Sequence, residues 1–236
     1  MKFLLKLFIS SLLTTITYLS SQAQTDANVW MERLKEQNQK VRSFTADVEI
    51  DVDVSFIQIP IKKGKVYYQA PDKFRFRSSG FTLLPKKGFN FTVNEILWSE
   101  SMAIYAGDDS IGTKIKIVPL SDSADFILAT AWIDTTIPRL KQLDISSANQ
   151  GNILMQFEYG VGKYELPIET KLSFEVKQLD IPMKFMGNAS IDRSKFQGDK
   201  TTGTVRIKYN QLEVNVPIDG KIFEEKEGEE NEVKEE

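Results

Sequence analysis

Residues 44–56 read Phe44-Thr45-Ala46-Asp47-Val48-Glu49-Ile50-Asp51-Val52-Asp53-Val54-Ser55-Phe56. From Asp47 onward the side chains alternate strictly: Val48, Ile50, Val52, Val54 and Phe56 against Asp47, Glu49, Asp51, Asp53 and Ser55. Successive side chains of a strand point to opposite faces, so a period of two describes a half-buried strand with one dry and one wet face. The two stretches that follow repeat the pattern. Lys63 to Ala70 sets Val66, Tyr68 and Ala70 against Lys63, Lys65, Tyr67 and Gln69, and Lys73 to Ser78 sets Phe74 and Phe76 against Arg75 and Arg77. In an antiparallel meander of the three, acidic outer positions meet basic ones across the strands.

Upstream the period is that of a helix. Ala27, Trp30, Leu34 and Val41 recur at helical spacing, Glu32, Lys35, Glu36 and Lys40 lie on the other side, and Thr25 or Asp26 serves as N-cap. The apolar stripe has only the following sheet to lie against. Downstream, further strands are expected at Phe89 to Val93, Lys114 to Val118, Ile127 to Ile133, Arg139 to Ile145, Ile153 to Tyr159, Ile168 to Val176, Thr204 to Tyr209 and Leu212 to Val216. Gly107-Asp108-Asp109, Asn149-Gln150-Gly151-Asn152, Gly160 to Gly162, Gly187-Asn188 and Gly198-Asp199 supply the turns. Phe81 to Lys87 does not alternate and reads as a loop or short helix, and Asn94 to Ala106 fits strand or helix. About ten successive antiparallel strands tend to curl into an open or closed barrel.

The ends bound the compartment. Lys2 and Lys6 precede an apolar run, Phe3 to Leu19, broken by Ser10, Ser11, Thr14, Thr15 and Thr17, and Ser21-Gln22-Ala23 offers small residues at a cleavage point. This is the pattern of a secretory signal, and the run falls short of the ~20 apolar residues of a membrane span. Residues 1–23 are therefore expected to be a cleaved signal peptide, 24–223 a single domain, and 224–236 an acidic disordered tail. Without cysteine to accept a lipid, the mature chain is expected to be free in solution. Loss of Lys2 and Lys6 takes the formal charge from −3 to −5; the tail carries eight Glu and two Lys, leaving the body near +1. A near-neutral body does not point to nucleic acid, which favours a basic face.

Histidine is absent as well, which removes the commonest general base, the commonest metal ligand and every nucleophile–histidine pair. No catalytic, metal or cofactor residue is assigned. The carboxylate pairs Asp108 with Asp109 and Asp122 with Asp125 sit in polar, turn-like segments where solvation accounts for them.

Three segments then take on meaning by their order. Gly64-Lys65-Val66-Tyr67-Tyr68-Gln69-Ala70-Pro71-Asp72-Lys73-Phe74-Arg75-Phe76 resembles the glycine-to-proline-to-aromatic-arginine hairpin near the start of the LolA-like family, the periplasmic carriers of outer-membrane lipoproteins. Ala131-Trp132-Ile133-Asp134-Thr135-Thr136, with the strand after it, is similar to that family's middle hairpin. Val205-Arg206-Ile207-Lys208-Tyr209, then Val214-Asn215-Val216-Pro217-Ile218-Asp219 and Ile222-Phe223, looks like its closing segment. The resemblance implies a mainly β fold: a curved antiparallel sheet forming an incomplete barrel, with the N-terminal helix and one or more further short helices covering its concave face. It implies no enzyme and no cofactor.

The resemblance also implies a periplasmic monomer whose apolar cavity takes the acyl chains of lipoproteins or lipids and moves them toward the outer membrane. Inner- and outer-membrane transport components would load and receive the cargo. Trp30, Leu34, Val48, Ile50, Val52, Val66, Tyr68, Phe74, Phe76, Leu83 and Leu84 would line the lipid-binding face. An alternative is a non-enzymatic periplasmic binding or sensor protein of the same fold with a protein partner. One departure stands out. The best-known carriers place an arginine before the hairpin proline to latch the lid; here Ala70 precedes Pro71.

Overall fold

In the computed structural model the residues described are 27–54, 57–58, 60–78, 89–147, 151–162, 164–177, 190–191 and 200–224. Strand β1, Ser43–Val54, realises the alternation on which the fold rests. Phe44, Ala46, Val48, Ile50 and Val54 are buried, Val52 is half-buried, and Asp51 and Asp53 face water. At Val54 the chain leaves β1, and the two-residue β2 (Ile57–Gln58) pairs back onto Asp53 and Val54. Strand β3 (Lys62–Gln69) then takes the rest of the same edge from Ser43 to Ile50, and β4 (Lys73–Ser78) pairs with β3. The expected meander is present, and so is its charge ladder: Lys63 Nζ lies 2.9 Å from Glu49 and Lys65 Nζ 3.8 Å from Asp47. Exposed pairs of this kind contribute little stability, but they fix which residues face each other. Ala70 does not join the inner face as its parity suggests. It is exposed, because the strand ends at Gln69 and Ala70 opens the turn that leads to β4.

The remaining strands are β5 (Ser101–Asp108), β6 (Thr113–Pro119), β7 (Leu128–Asp134), β8 (Arg139–Ser147), β9 (Gly151–Tyr159), β10 (Pro167–Lys177), β11 (Ser190–Ile191) and β12 (Lys200–Val214). They form one antiparallel sheet in the order β11-β2-β1-β12-β10-β9-β8-β7-β6-β5, with β3 and β4 branching from β1. The first and last strands of this path do not pair with each other, so the sheet is not closed into a barrel.

Two expectations change. Phe89 to Val93 is not a strand but the first half of helix α2, Phe89–Trp98. Its aromatic and β-branched residues suit a strand locally, but Val93, Ile96 and Leu97 share a helical face, and packing of that face overrides propensity. This also settles Asn94 to Ala106: helix as far as Trp98, then β5. The second change joins two expected strands into one, β12. Asp47 pairs with Asn210 and Thr45 with Glu213, so one extra residue is accommodated in β12 opposite Ala46, and Gln211 takes φ 49°. This bulge switches the inward parity from Val205, Ile207 and Tyr209 to Leu212 and Val214. A break in alternation that reads as a turn is a bulge within a continuous strand.

One apolar core collects both helices on one side of the sheet. Helix α1 (residues 27–39) gives Ala27, Met31 and Leu34, α2 gives Ile96 and Leu97, and the sheet gives Val48, Ile50, Val66, Ala103, Ile115, Ile117, Ile133, Leu143, Met155, Leu172 and Ile207, among others. Val41, placed on the helical stripe by spacing, lies just past the helix and is buried. Among the described residues no helix is long and apolar enough to cross a membrane.

Candidate functional site

Nine of the eleven residues singled out from the sequence fall among the described residues, and all nine belong to the same apolar assembly. Leu34, Val48, Ile50, Val66 and Tyr68 are buried in it, and Trp30, Val52, Phe74 and Phe76 are half-buried against it. Leu83 and Leu84 lie outside the described residues, as do residues 1–23, expected from the sequence to be a signal peptide, the stretch Phe81 to Lys87 and residues 225–236.

Register explains the grouping. Tyr68 faces Phe44 across β1 and Phe74 across β4, and Val66 faces Ala46 and Phe76. Two ranks of apolar side chains therefore run from β1 outward to β4, the first carrying aromatics on all three strands. The Phe44 and Tyr68 ring centres are 5.2 Å apart with planes tilted by 30°, within the usual range for aromatic pairs. Gly64 makes room for the second rank. A Cβ there would run into the Arg77 carbonyl oxygen and sit 2.6 Å from the Phe76 ring, so the ring occupies the space that the glycine leaves.

A polar chain crosses this apolar region and ties both helices to the hairpin. Asn38 Nδ2, on α1, donates to Asn94 Oδ1, on α2, at 3.0 Å. Asn94 Nδ2 donates to the Tyr68 hydroxyl at 3.4 Å, and that hydroxyl donates to the Pro71 carbonyl at 3.3 Å. Burial pushes the Tyr68 hydroxyl pKa up, the Asn94 hydrogen bond opposes this, and Asp72 adds to it. The hydroxyl stays protonated, as its donation to Pro71 requires. This connection ends at the proline of the hairpin motif, next to Ala70. No spacing in the sequence links Asn38, Asn94 and Tyr68; only the fold brings them together. Met31, Ile96 and Leu97 were also missed. Met31 was legible, since Ala27, Met31 and Leu34 keep the spacing of one helical face.

The closing motif has a structural task. Asn215, at φ 59°, accepts from the backbone N–H of Arg42 at 2.7 Å and donates to the Lys40 carbonyl at 2.8 Å, so it ties the end of β12 to the link between α1 and β1. Asp219 accepts from the Lys221 N–H at 3.0 Å at the start of a 3-10 turn, Gly220–Phe223, whose Phe223 ring lies 5.8 Å from Lys73 Nζ on β4.

The carboxylates weighed as catalytic pairs hold turns. Asp109 accepts from Trp132 Nε1 at 2.9 Å, from the N–H groups of Ile111 and Gly112, and lies 3.2 Å from Lys114 Nζ. These donors, Trp132 foremost, pull its pKa down to about 2. Asp108 is lowered by hydrogen bonds from Thr113 (2.7 Å) and Tyr105 (2.5 Å). Both are held as anions and are poorly suited to give or take a proton near neutral pH. Asp122 and Asp125 lie exposed in the connection between β6 and β7. Among the described residues no group of three Cys, His, Asp or Glu side chains could hold a metal ion.

With this geometry in hand, two solved structures are informative. A DUF1329 family protein from Desulfovibrio piger superposes with a TM-score of 0.53 at 7% identity, over 84% of this chain and 96% of the other. A LolA superfamily protein from Nitrosomonas europaea superposes with a TM-score of 0.50 at 9% identity, again over 84% and 96%. The chain has a LolA-like fold. At such identities the likeness concerns the fold alone. No family model matches the sequence, and no curated protein does. In this chain the apolar faces of β1, β3 and β4 lie in one core with residues of α1 and α2.

Proposed function

We propose that this protein is an exported periplasmic carrier that takes the acyl chains of lipoproteins or lipids onto the apolar face of β1, β3 and β4 and moves them toward the outer membrane as a monomer. The observation that carries this reading is the group of large apolar side chains, Trp30, Val52, Phe74 and Phe76, left half-buried on the side of the sheet covered by α1 and α2. Carrying an acyl chain through water means shielding about 0.8 kcal/mol per methylene, on the order of 10 kcal/mol for a long chain. Apolar area supplies that shielding without any reacting group, which suits a chain with fifteen Phe, three Trp, no His and no Cys.

Release needs a cover that opens at modest cost. The Asn38–Asn94–Tyr68–Pro71 chain fits this need, because each of its neutral hydrogen bonds contributes only about 0.5–1.5 kcal/mol net. It would serve where the better-known carriers use the arginine that Ala70 replaces. Transport components of the inner and outer membranes would load and receive the cargo.

Mass spectrometry of organic extracts from protein purified without detergent tests the reading. Co-purified acyl chains at near one equivalent are expected. Lipid-free protein that also fails to bind a hydrophobic fluorophore would overturn it and leave a binding module with a protein partner.

A further inference from the structure

Three neighbouring connections leave the sheet at the same end, and each carries an aliphatic side chain at its tip. Asp108 pairs with Thr113, Thr113 with Ile133 and Asp134 with Arg139, which sets the β5–β6 and β7–β8 turns side by side. The Tyr159 hydroxyl donates to the Leu140 carbonyl at 2.7 Å, which brings the β9–β10 connection to that end as well. The tips hold Ile111, half-buried, and Ile137 and Val161, both exposed. Ile168, exposed at the start of β10, lies against Gly160, its Cγ2 3.0 Å from where a Cβ would stand. Single exposed apolar residues are ordinary on a protein surface. A row of them on successive turns, about 10 Å apart at two strands per step, calls for a reason.

The polar groups of these turns are already satisfied within the protein. Asp109 accepts from the N–H groups of Ile111 and Gly112 at 2.9 and 3.3 Å, and Asp134 from those of Thr136 and Ile137 at 3.0 and 3.4 Å. Arg139 ties Glu165 of the third connection at 3.0 Å. The carboxylates are met by cations in turn, Lys114 at 3.2 Å from Asp109, and Arg139 and Lys141 at 3.4 and 4.0 Å from Asp134. Turns paired in this way lose little when water is removed from around them. Behind the tips stand Trp132, whose Nε1 donates to Asp109, and Tyr105, whose hydroxyl donates to Asp108. Aliphatic tip, then a ring with a polar atom, then a cation is the order of side chains across a membrane–water interface.

We propose that this end of the sheet docks on a phospholipid bilayer, with Ile111, Ile137 and Val161 entering the boundary between headgroups and acyl chains and Trp132 and Tyr105 at headgroup level. Asp108, Asp109, Asp134 and Glu165 offset Lys114, Arg139 and Lys141. Apolar insertion rather than attraction to anionic lipid therefore holds the protein, and the contact survives added salt. It needs no cargo on β1, β3 and β4, so either reading can fail without the other.

Because the chain has no cysteine, Val161→Cys and Ser123→Cys each provide a single site for an environment-sensitive fluorophore. Ser123 is exposed in the β6–β7 connection, at the other end of the strands. With the full-length mature protein and vesicles of phosphatidylethanolamine and phosphatidylglycerol, emission from position 161 is expected to shift to the blue at low and high salt. Lipids spin-labelled in the acyl chain should quench it, while position 123 does not respond. A soluble short-chain phospholipid below its micelle concentration should leave position 161 unmoved, which separates docking from uptake of a lipid. Ile137→Asp/Val161→Asp should weaken vesicle flotation roughly tenfold, and an unchanged thermal melt reports that its fold is intact. No shift at position 161, an equal response at 123 or to the soluble lipid, a response that salt abolishes, or flotation indifferent to the two aspartates overturns the proposal.

Discussion

Two ends of one sheet are packed differently. Along β6 to β9, Ile115, Ile117, Ile133, Leu143 and Met155 are at most 1% exposed, and Ala129 and Ala131 fill the space between them. Along β3 and β4 the inner face carries larger side chains, yet Phe74 and Phe76 are only half-buried, as is Trp30 on α1. Close packing is the default state of a protein interior. Large aromatics left partly uncovered beside helices that are anchored in the core by Ala27, Met31, Leu34, Ile96 and Leu97 are therefore informative. One end of the sheet is closely packed, and the other leaves large apolar side chains partly exposed, the surface on which the proposed carrier function rests.

The contrast breaks most visibly if the packed end tolerates truncation. Leu143→Ala should lower unfolding free energy by about 2–5 kcal/mol, the range for large-to-small changes at fully buried sites. Urea denaturation measures this, and fluorophore binding per folded molecule should hardly change. Gly64→Ala should cost about 1–3 kcal/mol, since its Cβ meets the Arg77 carbonyl and the Phe76 ring. Here binding should fall as well, because relief requires the ring to move. Phe76→Ala reverses the Leu143 pattern: a loss near 1–2 kcal/mol in stability, reflecting partial burial, with roughly tenfold weaker binding of an acyl fluorophore in titration, equivalent to about 1.4 kcal/mol. Equal effects of Leu143→Ala and Phe76→Ala on binding would erase the distinction between the two ends.

Smaller effects sharpen it. Asn94→Ala removes the middle of the polar chain between helices and hairpin and should cost about 1 kcal/mol of stability. Hydrogen exchange should quicken in α1 and α2 but not in β6 to β9. The smallest effect concerns Asp109. Its folded pKa is depressed, so its contribution is present above the unfolded value near 3.8 and fades as pH falls toward 2. The stability difference between wild type and Asp109→Asn should accordingly be constant near neutral pH and close between pH 4 and 2, read from thermal melts across that range.

Much of this was legible because strand periodicity is a local property. The parity of β1, β3 and β4 and the facing of acidic outer positions by basic ones followed from alternation alone, while the register that sets Asp47 against Lys65 and Glu49 against Lys63 needed coordinates. The shared face of Val48, Ile50, Val66, Tyr68, Phe74 and Phe76 also followed from alternation. What escaped depended on contacts distant in sequence. Helix α2 looks like a strand until Ile96 and Leu97 find the core, and the β12 bulge looks like a turn until Asn210 and Glu213 are seen paired to the same strand. Asn38 and Asn94 are 56 residues apart and carry no motif. The roles of Gly64, Asn215 and Asp219 could be recognised as motif positions, but the reasons for them needed coordinates. A close approach to Phe76, a left-handed residue bridging two chain ends and a turn cap are three-dimensional facts.

Photolabelling with a fatty acid that carries a diazirine within its chain tests the central claim most directly. After irradiation and digestion, the account predicts adducts on peptides bearing Trp30–Leu34 and Phe74–Phe76, in competition with unlabelled fatty acid. Adducts confined to β6–β9, or labelling that excess fatty acid does not suppress, would contradict it.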